Sequence, residues 1–591
     1  VTTRAELYPT AAEIERLRLV ASGRAPADLI IRGGRVLASA TNEFLERDVV
    51  IAGRHIAAIT PVSHFEAMDG CVEVDATGKW VVPTFIDAHL HIEYTMLSPG
   101  QLARLSVPRG TTTVLTDPNG AANFGEAAMD YMLATTTPLK IFQQVSPTTP
   151  ASQRLERGGV VISDAAVLRR LSRDDTVTLG ESNPFDHSLE AAQRYASALA
   201  CGRRITGHTA AQSGEELWGY LAAGVGDDHN AVTIDEVLER VRLGALVTIM
   251  GSSLTDNTVE IFSDLERIAP AFGSLAFCAD DKHVLDLEAQ GHIDHHVRQA
   301  IRFGVPPAWA YRMATQQPAA HYRLDQVTGI LAPSRLADLQ IVDDLAAVRP
   351  SSVYVAGREV ARDGIPLFEV HDAAPEWSLD SFRVPVDFDG GRFRVNAPGP
   401  RATVRAVEMY NGYFKRAFAA DLEVRDGNVV SSPEHDILKI AVVDRHHGDG
   451  LMGLGFVRGF GLSSGAIASF ACMNVNIVVV GTTDDEMAHA VRALREAQGG
   501  FVAVDRGAVL GAVELPLGGM MSDAPWEDTA DALSRIHEVV SRMGCSIVSP
   551  FMILSFVGLA GVPELGLTER GLIDSKSQEF VDLIIEGAHN E

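Results

Sequence analysis

Between Pro83 and Leu324 the chain repeats one pattern: a short apolar run that ends on a polar or ionisable residue, then a helix-like stretch. The run ends fall near His91, Asp117, Ser146, Glu181, His208, His229, Met250 and Asp280, about 20 to 35 residues apart, the pitch of successive β/α units. Eight such units close a barrel, and in that fold the residues at the carboxyl ends of the strands gather at one mouth. Upstream, from Ala27 to Val82, the texture is β. Leu29-Ile30-Ile31-Arg32, Val36-Leu37-Ala38 and Val49-Val50-Ile51-Ala52 are separated by turns at Gly33-Gly34 and Gly53-Arg54. The same texture returns over residues 329–333, 337–342 and 353–358, so two distant segments are expected to pair into one small β domain.

The expected fold is α/β: a TIM-like (β/α)8 barrel inserted in a small composite β domain, followed by a carboxyl-terminal α/β domain. Residues 1–82 hold a short amphipathic surface helix, with Ile14, Leu17 and Leu19 between charges, and the first part of the composite β domain. Residues 83–324 form the barrel, 325–372 the second part of the composite domain, and 373–591 the last domain. That last domain has predicted strands at Ile477–Gly481 and Phe501–Val504, separated by a helical run from Asp484 to Gln498. The stretch Leu515–Met521 reads as a turn packed with core methionines.

A chain of 591 residues exceeds one hydrophobic core. Its formal charge of −27 argues against a nucleic-acid partner. Hydrophobic content of 46% with 21% charged residues is ordinary for a soluble enzyme, and no apolar stretch is long enough to span a bilayer. The five cysteines are scattered without Cys-x-x-Cys spacing, which indicates neither a disulfide framework nor a thiolate zinc site. A cytoplasmic location fits that pattern, as does the lack of a signal-peptide core at the amino terminus.

The candidate chemistry begins at Phe85-Ile86-Asp87-Ala88-His89-Leu90-His91. Side chains in a strand alternate with period two, so His89 and His91 point the same way and can grip one metal ion. If the later run ends share that mouth, His208, His229, Glu181 and Asp280 join them in a binuclear site with imidazole and carboxylate ligands. Two close cations need an anion between them, and Glu181 is the candidate bridge. Asp280 is both ligand and candidate acid/base. Asp281 is expected to face away and cap, and His292, His295 and His296 to be cap and surface residues.

With these residues assembled, the chain resembles the amidohydrolase superfamily, specifically the adenine deaminases of bacterial type. The likeness rests on residues 83–93, Gly110–Val114, Asp228-His229, Cys278–His283, Gly291–Asp294, Met313–Ala319, Ala337–Leu339 and Ser549–Phe556. It implies two divalent ions, manganese first, then iron or zinc, held by His89, His91, Glu181, His208, His229 and Asp280. It also implies attack of a metal-activated hydroxide on C6 of adenine, with Asp280 moving the proton, to give hypoxanthine and ammonia. The implied partner is a small purine base; composition leaves no membrane or nucleic-acid partner expected, and acidic multidomain enzymes of this kind are often symmetric homo-oligomers.

Three departures bear on the substrate. Asp117-Pro118-Asn119-Gly120 stands where the family has Asp-Pro-His-Glu, Ser182-Asn183-Pro184 replaces Met-Met-Asn, and Ala471–Asn476 replaces Ala-His-Asp-Ser-His-Asn. Asp117, Asn119 and Ser182 are therefore the candidate substrate-binding residues. The alternatives are an amidohydrolase acting on another aminated heterocycle or a cyclic amide, and an inactive scaffold.

Overall fold

The computed structural model describes residues 3–585 apart from 135, 210, 211, 379, 380, 412, 413, 561 and 563. Eight parallel strands follow one another in sequence order: β1 Phe85–Leu90, β2 Thr111–Thr116, β3 Lys140–Val145, β4 Thr176–Ser182, β5 Arg204–Gly207, β6 Asp227–Asp228, β7 Leu246–Met250 and β8 Leu275–Cys278. A parallel bridge from Leu90 to Asp280 joins the last turn of the series to the first, and the Asp280 N–H donates to the His89 carbonyl at 3.0 Å. The strands are buried along nearly their whole length, as expected of parallel strands covered by helices outside and packed side chains within. Each expected run end lies at or within two residues of an observed strand end.

The segments before and after the barrel form one nine-stranded sheet. Its seam is the antiparallel pair of Trp80–Pro83 with Leu339–Val342, in register Leu339↔Pro83 and Val342↔Trp80. Apolar residues on one face of each segment, including Val36, Val49, Val81, Leu339 and Ile341, share a single core, so the sheet covers the barrel's entry and exit together. At the amino terminus the helix Ala11–Ala21 is capped by Thr10 and Glu13 and buries Leu17 and Val20.

The carboxyl-terminal region builds a second nine-stranded sheet and a three-stranded one. Strands Ile477–Gly481 and Phe501–Asp505 and the helix Asp484–Glu496 occupy the expected places, with Ala466–Phe470 paired between the two strands. Met520 and Met521 are fully buried. The core that holds them also takes in barrel residues such as Leu90, Tyr94 and Leu97, so this region is fused to the barrel mouth through apolar packing. Among the described residues no helix is long and apolar enough to cross a membrane.

Candidate metal centre and substrate cavity

The carboxyl ends of β1 and β4 and the segments just after β1, β6 and β8 converge on one buried cluster. His89 Nε2 lies 3.3 Å from Glu181 Oε1 and 3.5 Å from Asp280 Oδ1. His229 Nε2 is 2.9 Å from the same Glu181 oxygen, while His91 Nε2 faces the other one at 3.6 Å. Glu181 thus presents its two oxygens to different histidines. Ligand-type atoms of His89, Glu181, His229 and Asp280 lie within 4.8 Å of one another, and so do those of His91, Asp280 and Asp281. His208 packs edge-on against His229 at 5.4 Å between ring centroids and lines the cavity, outside both tight groups.

The surrounding hydrogen bonds fix which ring atoms face inward. His91 Nδ1 lies 2.7 Å from the Asp117 carbonyl, which can only accept, so Nδ1 carries the proton and Nε2 keeps its lone pair. Gln144 donates its Nε2 to the Ala88 carbonyl at 3.0 Å, which turns its oxygen toward His89 Nδ1 at 2.5 Å. His89 Nε2 is therefore also a free acceptor, and it makes no well-formed hydrogen bond although fully buried. An orphaned, correctly presented imidazole nitrogen between two carboxylates is the donor arrangement a divalent cation requires.

The electrostatics agree. Burial opposes charge on His89, yet the Asp280 and Glu181 carboxylates close to its Nε2 carry its pKa well above the ordinary imidazole value. His91 is likewise disfavoured by burial and then raised by Glu181 and Asp281 to about 9. Burial works against ionised Glu181, but His229 and His89 hold its carboxyl well below the usual range. The cluster is a trap for positive charge.

Asp117 lines the cavity, but its carboxylate is committed. One oxygen accepts the Ser146 hydroxyl and the other the backbone N–H of Glu181 at 2.9 Å. Its position beside Glu181 makes it a support for that residue. Asn119 accepts from the Tyr94 hydroxyl at 2.8 Å, and the Met473 N–H donates to the same Tyr94 oxygen at 2.7 Å. Two of the three departures, at 119–120 and 471–476, therefore meet across one tyrosine. Ser182 lines the cavity with its hydroxyl donated to the Gly180 carbonyl at 3.3 Å.

Two expectations are overturned. Asp281 does not turn away, because β8 ends at Cys278 and Asp280 adopts a left-handed φ of 52°, which breaks the alternation and leaves both aspartates lining the cavity. His292, His295 and His296 are not surface residues. The first turns of Ile293–Arg302 are packed inward, His292 Nε2 contacts Asp87 Oδ2 at 2.6 Å, and His295 contacts Asp256 at 3.0 Å. Asp87 in turn accepts the His89 N–H, so His292 braces the strand that carries the paired histidines.

The cavity above the cluster encloses about 1090 Å³, its mouth included. Cys472 and Met473 of the carboxyl-terminal region, inside the departing block 471–476, and Glu156 of the loop after β3 also line it; no local motif distinguishes Glu156.

Residues 80–360 match the family model of the amidohydrolase family, and 413–579 that of the adenine deaminase C-terminal domain. The adenine deaminase of Desulforamulus reducens is 35% identical over 97% of this chain and 98% of its own length. That of Moorella thermoacetica is 35% identical over 98% and 99%, and that of Methylobacterium nodulans 36% identical over 95% and 98%. Among solved structures, N-isopropylammelide isopropylaminohydrolase from Burkholderia multivorans aligns at 18% identity with a TM-score of 0.43 over 58% of this chain and 100% of that one, a likeness too slight to argue from. Identity of this order across both domains and the whole length makes the chain a member of the adenine deaminase family.

Proposed function

We propose that this chain hydrolyses adenine to hypoxanthine and ammonia. The observation that carries the reading is Glu181, whose two oxygens face different histidines beside Asp280, under a cavity roofed by a domain of adenine-deaminase type. The donor set would suit divalent cations: ligand-type atoms of His89, Glu181, His229 and Asp280 form one tight group and those of His91, Asp280 and Asp281 another, with His208 beside His229. Imidazole and carboxylate without thiolate suit zinc, iron or manganese, and of these the family resemblance favours manganese. When bound, the ions supply Lewis acidity that makes water nucleophilic near neutral pH.

Asp280 is the proton carrier. Buried at the floor of the cavity, it is kept ionised against burial by the neighbouring His89, His229 and His91, so it can take a proton as the water oxygen bonds to C6. It returns that proton to the exocyclic nitrogen as the C6–N bond breaks, so ammonia leaves and the ring keeps a carbonyl. Asp117 and Ser146 hold Glu181 in place, and Cys472 and Met473 close the site from above. The five cysteines are free thiols, in keeping with work in a reducing cytoplasm.

The test is an assay of manganese-loaded protein on adenine beside an Asp280→Asn variant. Equimolar ammonia and hypoxanthine are expected from the unaltered protein, and a loss of about 10³-fold or more from the variant with most metal retained. No ammonia from adenine would reject the reading, and undiminished turnover by the variant would remove Asp280 from its role.

A further inference from the structure

Five carboxylates line the cavity: Asp117, Glu156, Glu181, Asp280 and Asp281. Three belong to the histidine–carboxylate cluster, and Asp117 is spent on Ser146 and the Glu181 N–H. Glu156 is left over. It sits in the loop between β3 and the helix Asp164–Leu171, 7% exposed, with no cation against it among its hydrogen-bond partners.

Its partners define what it can offer a ligand. Asn474 Nδ2 donates to Oε2 at 2.8 Å and the Ser152 N–H to Oε1 at 3.3 Å. The direction of the first bond is settled by a neighbour: Asn474 Oδ1 accepts the Asn476 N–H at 3.1 Å, so the amide nitrogen is the end that faces Glu156. Glu156 is thus an acceptor, and of its roughly four lone-pair positions at least one is left for a ligand. Burial pushes the Glu156 pKa up, while the donated hydrogen bonds from Asn474, Ser152 and Ala151 favour the ionised form. A buried acceptor of this kind, set in the wall of a substrate cavity, calls for an N–H donor on the substrate.

Free adenine has one N–H besides its amine, on the five-membered ring. We propose that Glu156 accepts the hydrogen bond of that ring N–H and thereby selects the free purine base over bases substituted there, nucleosides included. The proposal rests on the adenine reading above. Asn474 is the positioning residue, and it stands in the block where this chain departs from its family.

The test compares kcat/KM for adenine, 9-methyladenine and 7-methyladenine in the unaltered protein, Glu156→Ala and Glu156→Gln. The unaltered protein is expected to prefer adenine to at least one methylated base by about 100-fold or more. Both variants should cut that preference at least about 10-fold, through a higher KM for adenine at little-changed kcat, with the methylated base unaffected. The glutamine variant keeps the side-chain shape and an oxygen for Asn474, so it guards against a misfolded alanine variant. Loss of adenine and methyladenine turnover in equal proportion, in the glutamine variant, would overturn the proposal. If the unaltered protein releases no ammonia from adenine, the substrate reading fails, and equilibrium binding of hypoxanthine against 9-methylhypoxanthine then decides the role of Glu156: binding that does not discriminate overturns it, and discrimination lost in Glu156→Gln upholds it.

Discussion

Asp117 combines a place in the cavity wall with contacts to two candidate ligands. Its carbonyl accepts a hydrogen bond from His91 Nδ1–H and its carboxylate one from the Glu181 N–H, so one residue orients a candidate ligand from each of two strands. Removing the second carboxylate oxygen in Asp117→Asn forces a choice between Ser146 and Glu181. The expected result is metal affinity lowered about 10- to 100-fold, read by titrating the metal-stripped protein, while the KM for adenine changes little. A large rise in KM at unchanged metal affinity would restore Asp117 to the substrate. His89 and His91 were legible as a pair because strand periodicity is local; the Gln144 and Asp117 contacts that set their ring orientation come from other strands and carry no local signal.

At the scale of elements, β4 delivers Glu181 only because Gly180 precedes it. A Cβ at that position would stand 2.1 Å from Asp117 Oδ2, closer than any real contact, with backbone of Val145 at 3.0 Å on the other side. Gly180→Ala is therefore expected to displace Asp117, lower metal content below one ion per chain and destabilise the barrel by about 1–3 kcal/mol, measured by elemental analysis and thermal unfolding. Gly120 tells a related story at the end of β2. Its N–H donates to the buried Glu93 at 2.8 Å, and a Cβ there would crowd Glu93 and Met520 at 3.1 Å each. A side chain at this place would have to press Glu93 and Met520 aside, so Gly120, Glu93 and Met520 form one local solution. The turn Leu515–Met521 thus contributes core methionines, as its composition indicated, and one of them packs on the barrel mouth.

Across the whole molecule the barrel loop after β3 and the carboxyl-terminal sheets are tied by buried polar groups. Glu569 accepts from the Arg157 N–H at 2.5 Å and from Asn476 Nδ2 at 3.0 Å. Burial, with Glu156 nearby, pushes its pKa up from an ordinary value of 4.5 to about 8. Between those values the folded chain holds a proton that the unfolded chain has released, so stability falls as pH rises through that window and levels off above it. Glu569→Gln is expected to narrow the loss of Tm between pH 5 and pH 8.5; thermal unfolding at both pH values checks it, and an unchanged difference would show that Glu569 is not the group responsible. The sequence alone determined the eight-fold β/α rhythm, the composite β domain around it and the imidazole and carboxylate positions at strand ends, because side-chain periodicity and turn chemistry act over a few residues. Only the tertiary structure decided that Asp281 faces the cavity, that the 292–296 histidines are buried braces, and that Glu156 and Asn474 meet 318 residues apart. The first depends on one left-handed residue after β8, the second on the packing of the helix Ile293–Arg302 against Asp87 and Asp256, and the third on the docking of a separate sheet over the barrel mouth, and none is encoded in any short stretch of the chain.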